Sequence, residues 1–209
     1  MAAPIVNPRL TGPAAPPIYF AVHSYRLGFR EIPMRRFWHL IVFFCAAAAW
    51  AQDAEKLAPY YPTPATVVEK MLELGGLRPG ETVFDLGSGD GRIVIMAAQR
   101  FGAFATGIEL DKDLCRQSLE RIQKLGLGKN AHIINGDILK QNYSSADLIT
   151  VYLLPKSNDK VQPLLERQLK KGARVVAHDF EFRNWTPEKV EDIEDDGEGR
   201  SHTLYLYRR

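Results

Sequence analysis

The stretch Val83-Phe84-Asp85-Leu86-Gly87-Ser88-Gly89-Asp90-Gly91-Arg92 decides the fold of this chain. A β-branched and aromatic run ends in an acid, and glycines follow at every second position. Residues 93–101 then continue as an apolar run with helical spacing. That order reads as a strand, a tight turn and a helix, the opening of a parallel α/β unit. Glycine lets the backbone turn sharply and come close to a ligand, because no Cβ stands in the way. Charge and spacing then say which ligand. A dinucleotide loop reads G-x-G-x-x-G and cradles a pyrophosphate on amides at a helix N-terminus. Here the third glycine comes one residue early, and Asp85 and Asp90 flank the loop. Two carboxylates would repel a pyrophosphate; they suit a ligand carrying an ammonium and a sulfonium.

The residues downstream keep the same rhythm. Residues 105–111, Ala-Thr-Gly-Ile-Glu-Leu-Asp, read as a second strand, with Glu109 lying 18 residues beyond Gly91. A carboxylate there is placed to accept hydrogen bonds from both hydroxyls of a ribose. Residues 132–137 read as a third strand ending in Gly136-Asp137. Any one of these acids would serve as well as a helix N-cap or a solvated turn. Taken together, the loop and the acids resemble the class I, seven-stranded S-adenosylmethionine-dependent methyltransferases. The resemblance implies S-adenosylmethionine as cofactor, held by Asp85, Gly87, Ser88, Gly89, Asp90 and Gly91, with Glu109 on the ribose and Asp137 beside the adenine.

Outward from the loop, Thr63 is the expected N-cap and Pro64 the first residue of a helix running to about residue 74. Val67, Val68, Met71 and Leu72 share one face of it, and Gly75-Gly76 end it. Strand one covers residues 81–86 and a helix covers 93–100; the next helix starts near Asp111 with Cys115, Leu119 and Ile122 inward. Residues 132–134, 148–153 and 174–178 read as strands three to five. The fourth is apolar nearly throughout, as a strand covered on both faces should be. A helix carrying Val161, Leu164, Leu165 and Leu169 separates the last two. Residues 189–193 and 202–207 read as a strand pair around an acidic, glycine-containing loop. The expected fold is α/β: a Rossmann-like, doubly wound, mostly parallel sheet. The resemblance implies seven strands with an antiparallel C-terminal one.

The formal charge of +2 on 209 residues conceals an asymmetry. Residues 1–51 hold five Arg and one acid, leaving 22 basic and 24 acidic side chains on residues 52–209. A slightly acidic body argues against a broad electrostatic footprint for nucleic acid. Two cysteines, Cys45 and Cys115, make no disulfide framework. Met34-Arg35-Arg36 precedes a 15-residue apolar run that ends in Ala49-Trp50-Ala51. This matches a secretory signal with cleavage after Ala51, and is shorter than the roughly 20 residues of a transmembrane helix. Residues 1–33 read as a misassigned upstream extension, or as a disordered tail ahead of an interfacial segment. The domains expected are therefore the extension 1–33, the signal-like segment 34–51 and a catalytic domain over 52–209. Arg35-Arg36 before the apolar run, and Asp53 and Glu55 after it, favour membrane targeting or export. The alternative is a cytoplasmic catalytic domain, since S-adenosylmethionine is an intracellular metabolite.

Three further segments narrow the resemblance: Pro59-Tyr60-Tyr61-Pro62-Thr63-Pro64, Thr150-Val151-Tyr152-Leu153-Leu154-Pro155 and His178-Asp179-Phe180-Glu181-Phe182-Arg183-Asn184-Trp185. With residues 85–93 they resemble a family of small protein-lysine N-methyltransferases. Its mitochondrial members modify a lysine of the membrane-embedded c protein of ATP synthase or of the adenine nucleotide translocase, and it has many prokaryotic relatives. The resemblance covers about residues 59–207 and implies a protein substrate with an accessible lysine, membrane proteins included. Ser88 departs from the Cys that relatives often carry, and Tyr61 and Thr63 join the expected cofactor contacts. Lysine reacts only when unprotonated, and an apolar slot lowers its pKa. Such a slot belongs at the carboxyl end of strand four, at Tyr152, Leu154 and Pro155, because ligands bind at those strand ends. Tyr152 is expected as its wall or hydrogen-bonding group, or else packs under the next helix. His178 and Asp179 are expected to face the same cleft and to orient the amine or relay its proton. Otherwise they form a hydrogen-bonded pair that fixes the turn after strand five. Phe180, Phe182 and Trp185 are either a substrate lip or plain packing. No metal is expected. The alternative functions are methylation of a small molecule or RNA, or cofactor binding without catalysis; Tyr152-Leu-Leu-Pro155 stands where amino-group nucleic-acid methyltransferases carry an Asn/Asp-Pro-Pro-Tyr motif.

Overall fold

A computed structural model describes residues 60–209; the extension 1–33, the signal-like segment 34–51 with its cleavage site, and Pro59 lie outside the described residues. Helix α1 (Ala65–Leu74) buries Val67, Val68, Met71 and Leu72, the expected face. Its start differs from expectation. Pro64 is the N-cap, without a side-chain bond, and Thr63 lies one residue further out. Thr63 turns into the protein instead, with its hydroxyl 3.4 Å from His178 Nδ1. At the other end Gly76 takes a left-handed conformation and the Leu77 N–H returns to the Leu72 carbonyl, the bond that closes a glycine C-cap.

From there strands and helices alternate: β1 (Thr82–Leu86), α2 (Arg92–Phe101), β2 (Phe104–Glu109), α3 (Lys112–Lys124), β3 (Ala131–Asn135), β4 (Leu148–Val151), α4 (Pro155–Gln168) and β5 (Arg174–His178). The chain closes with β6 (Lys189–Ile193) and β7 (His202–Arg208). The sheet order is β3-β2-β1-β4-β5-β7-β6, and β7 runs antiparallel to both of its neighbours. The order reverses beside β1, whose partners are β2 on one side and β4 on the other. That reversal opens a crevice at the carboxyl ends of the strands, where α/β sheets bind ligands.

Both faces of the sheet are covered. Helices α1 and α2 and Ile122 of α3 pack on one face, while α4, Tyr143 and Phe182 pack on the other. Every residue of β4 and β5 is buried, as strands enclosed on two sides must be. The inward stripe of α3 is Cys115, Ser118 and Ile122; Leu119, expected inside, is 47% exposed. A serine reads as a surface residue, but Ser118 has a carbonyl to meet within the molecule: its hydroxyl lies 3.1 Å from the Gly89 carbonyl. Phe182 is fully buried against Trp185 and Tyr207 and is packing, not a lip, while Phe180 and Trp185 are half-buried. No helix among the described residues is long and apolar enough to cross a membrane.

Candidate active site

The loop after β1 turns on left-handed glycines, with φ of 79° at Gly87, 54° at Gly89 and 74° at Gly91. It is stitched to the next strand, because the N–H groups of Gly87 and Ser88 both donate to the Ile108 carbonyl, at 2.9 and 3.0 Å. Tyr60 lies over it so closely that a Cβ at Gly89 would stand 2.7 Å from the phenol ring. The Ser88 hydroxyl is buried without a partner. An unpaired buried hydroxyl costs about 1–3 kcal/mol, so Ser88→Ala is expected to raise the thermal stability of the empty protein. A drop in Tm for that variant would show that the hydroxyl is bonded in solution.

Asp85, Glu109 and Asp137, the three acids at successive strand ends, line one cleft of about 870 Å³ that opens to solvent. Tyr61, Thr63, Gly87, Ser88, Gly89, Asp90 and Tyr152 line it too. Gly91 does not; it caps α2 behind the loop, where a Cβ would stand 3.0 Å from Ser118. Asp85 is 4% exposed and accepts a 2.8 Å hydrogen bond from Thr150 Oγ1. Burial pushes its carboxyl up to about 7; the Thr150 bond pulls the other way, and Glu109 and Asp90 push further upward. A buried carboxylate beside two like charges is a place where a cation is favoured.

Glu109 holds the loop as well as lining the cleft: Oε2 accepts from the Gly89 N–H and Oε1 from the Asp111 N–H, each at 2.8 Å. Each oxygen keeps a lone pair for a ligand hydroxyl. Asp137 accepts from the Leu139 N–H at 2.8 Å and so caps a short 3₁₀ turn, Ile138–Lys140. It thus caps that turn while lining the cleft. Asp90 is held on three sides, by Arg92 Nε at 2.9 Å, Arg92 Nη2 at 3.0 Å and Arg121 Nη1 at 2.7 Å. Burial alone would raise its pKa, but the two arginines hold it below the usual carboxylate range. Its charge is therefore matched inside the protein, unlike that of Asp85. Arg92 also donates to the Thr63 carbonyl at 2.7 Å, tying the leading segment to the loop.

At the far end Tyr152 donates its hydroxyl to Asp179 Oδ2 at 3.2 Å and stacks on His178, with ring centres 3.9 Å apart. Burial and then Asp179 push the phenol up to about 12, so it stays protonated and a donor. Asp179 is the only non-glycine residue with positive φ among the described residues, at 60°. Its backbone N–H donates to the Thr203 carbonyl and its Oδ1 accepts the Thr203 N–H, which fix that conformation. His178 departs from expectation. It is fully buried, lies outside the cleft lining, and is covered by Tyr152. Burial, with His202 beside it, holds its imidazole below the ordinary value against the pull of Asp179. Asp179 fixes the strand-five turn through Thr203, His178 bonds His202 instead, and Asp179 meets the cleft lining by its bond with Tyr152.

Thr150, Arg92, Arg121, His202 and Asp196 belong to this site and were not expected from the sequence. The signal for Thr150 exists only once register is known, since it is the direct β4 neighbour of Asp85. His202 meets His178 because β7 pairs antiparallel with β5.

The sequence matches the ANTKMT methyltransferase domain over residues 85–189. A protein-lysine N-methyltransferase of Saccharolobus islandicus (strain REY15A) is 42% identical over 150 residues, 71% of this chain and 92% of that protein. The adenine nucleotide translocase lysine N-methyltransferase of Mus musculus is 34% identical over 132 residues, 63% of this chain but 57% of the mouse protein. Among solved structures, an RNA methyltransferase from Salinibacter ruber in complex with S-adenosyl-L-homocysteine superposes with a TM-score of 0.67 at 39% identity, covering 71% of this chain and 93% of that one.

Proposed function

We propose that this chain, which belongs to the ANTKMT methyltransferase family and is an S-adenosylmethionine-dependent methyltransferase, takes as acceptor the side-chain amine of a protein lysine. The cleft suits the cofactor, because Asp85 is a buried carboxylate whose protonation a bound cation would reverse. In this reading Asp85 and the loop glycines hold the methionine end. Glu109 takes the ribose, and Asp137 lies beside the adenine. Tyr61 and Thr63 close the near side, with Tyr61 52% exposed at the opening. The bound cofactor supplies a methyl on sulfonium sulfur; an N–C bond forms as the S–C bond breaks and its electron pair stays on sulfur.

The observation that carries the acceptor assignment is Tyr152. Its hydroxyl is fixed by Asp179 at the carboxyl end of β4, and its ring lines the cleft. A phenol oxygen keeps lone pairs to accept from an amine and so to aim the nitrogen. The aromatic wall with Leu153 lowers the local polarity, which favours the unprotonated, reactive amine. The lysine named for the Saccharolobus relative agrees with this chemistry. RNA is the second reading, favoured by the description of the Salinibacter structure. The slightly acidic body weighs against it.

We also assign residues 34–51 to membrane targeting, on their basic start and apolar run; which side the catalytic domain faces follows from the same experiment. The full chain is incubated with methyl-labelled S-adenosylmethionine and separate membrane and soluble extracts, and the label is mapped by mass spectrometry. Label on protein lysine, chiefly in the membrane fraction, is the expected result. Label confined to RNA or small molecules would overturn the lysine assignment, and binding without any turnover would leave a cofactor-binding module. Protease protection of the chain in the same membranes reports its side; recovery wholly in the soluble fraction would end the targeting assignment.

A further inference from the structure

We propose that His178, Asp179 and His202 bind one divalent first-row transition-metal ion behind the Tyr152 wall of the cleft. The site stands whether or not the methyl acceptor is a lysine. Three ligand atoms converge. His178 Nε2 and His202 Nδ1 lie 2.9 Å apart, His202 Nδ1 lies 3.2 Å from Asp179 Oδ2, and His178 Nε2 lies 3.4 Å from that same oxygen. Donor atoms about 2.0–2.1 Å from one ion stand about 2.8–3.0 Å apart at a right angle and about 3.3–3.4 Å apart at the tetrahedral angle. All three separations fall between those limits. Two imidazoles and one carboxylate suit zinc or iron, whereas magnesium and calcium take oxygen ligands.

Two neutral rings do not supply enough protons for this cluster. His202 Nε2 lies 3.3 Å from Asp196 Oδ2, and an ionised carboxylate only accepts, so a neutral His202 carries its proton on that side. Its Nδ1 then turns a lone pair toward the lone pairs of Asp179 Oδ2. The one proton that His178 Nε2 can offer serves only one of its two neighbours. A cation takes a lone pair from all three atoms at once. Each ligand is also held from behind, as metal ligands are. Asp196, behind His202, is buried and anchored by the Glu198 N–H at 2.7 Å and by Arg200 Nε at 3.0 Å. Thr63 Oγ1 stands 3.4 Å from His178 Nδ1, and Asp179 Oδ1 accepts the Thr203 N–H at 3.0 Å. Asp179 Oδ2 keeps a second lone pair for the Tyr152 hydroxyl. None of the three ligands lines the cleft, so the ion's role is structural: it ties the end of β5 to the start of β7 and steadies Tyr152. His202 comes 24 residues after His178 and reaches it only by antiparallel pairing, which is why no metal is expected from the spacing alone.

The test is metal binding by the full chain, stripped with a chelator, dialysed and titrated with zinc chloride by calorimetry. Cobalt(II) then replaces zinc as a spectroscopic probe, its d–d bands reporting imidazole and carboxylate ligands. One tight zinc ion per chain is expected, with a rise in Tm that chelator reverses and that magnesium does not produce. His202→Ala and Asp179→Asn should each weaken zinc binding by at least about 100-fold, and Asp196→Asn by about 10–100-fold. His132→Ala, which removes an exposed histidine of β3, should bind zinc as the parent does. If His202→Ala does not fold, Asp179→Asn, which keeps the side-chain size, carries the test. No tight zinc in the parent would overturn the site, and a second proton on His202 would then account for the cluster. Equal zinc affinity in the parent, His202→Ala and Asp179→Asn would overturn it too, because the ion would then lie elsewhere on the chain.

Discussion

Asp85→Asn is expected to weaken S-adenosylmethionine binding strongly and, at the same time, to make the empty protein more stable. The carboxylate is buried, with Glu109 and Asp90 as like-charged neighbours and Thr150 as its hydrogen-bond donor. Its pKa in the folded, empty chain is pushed up to about 7 from an ordinary 3.8. A carboxyl whose folded pKa lies above its unfolded one destabilises the fold when ionised. The cost is fully present above pH 7 and fades as pH falls toward 4. Three pKa units correspond to at most about 4 kcal/mol. The Tm gain of Asp85→Asn should therefore be largest near pH 8 and vanish near pH 4. Binding follows the opposite logic. A cation in the cleft favours the ionised carboxylate, so calorimetry on the parent chain should show affinity rising from pH 5.5 to 8 with release of a proton. Removing one partner of a buried charge pair costs about 2–5 kcal/mol, a loss of affinity of about 30-fold or more for Asp85→Asn. Normal binding by that variant, with affinity flat across pH in the parent, would show that Asp85 does not meet the cofactor's charge.

The second large effect concerns a glycine that faces the loop from the neighbouring strand. Gly107 has an ordinary φ, so its constraint is space and not backbone conformation. An added Cβ would stand 2.5 Å from the Cβ and Oγ of Ser88 and 2.9 Å from Ile133 Cδ1. The tip of Ile133 can swing away. Ser88 cannot, because its N–H is bonded to Ile108 of the same strand as Gly107. Gly107→Ala should cost about 1–3 kcal/mol by overpacking, or several degrees in Tm for a domain of this size. It should also weaken cofactor binding by displacing the loop. Ser88→Gly in the same chain removes both clashing atoms and should recover most of the lost Tm, a coupling of about 0.5–3 kcal/mol. Simple addition of the two single effects would mean that the strand yields elsewhere and that the loop does not depend on this close approach.

Much of the cleft was legible because its parts are local. The glycine loop is specified by residues adjacent in the chain, and the alternation of strands with helices by short-range periodicity. Parallel pairing then carries the carboxyl ends of β1, β2 and β3 to one edge, which is why Asp85, Glu109 and Asp137 meet as expected. What the tertiary structure alone decided are the partners of those acids and the far wall of the cleft. Thr150 bonds Asp85 from 65 residues away, and Arg121 reaches Asp90 across 31. His178 sits at a strand end as predicted, yet the Tyr152 ring covers it, and the nitrogen it faces comes from β7 on an antiparallel register. Such contacts depend on strand order and on which residue lies opposite which. Those follow from burying both faces of the sheet at once, a condition on the folded chain as a body that no short window of sequence contains.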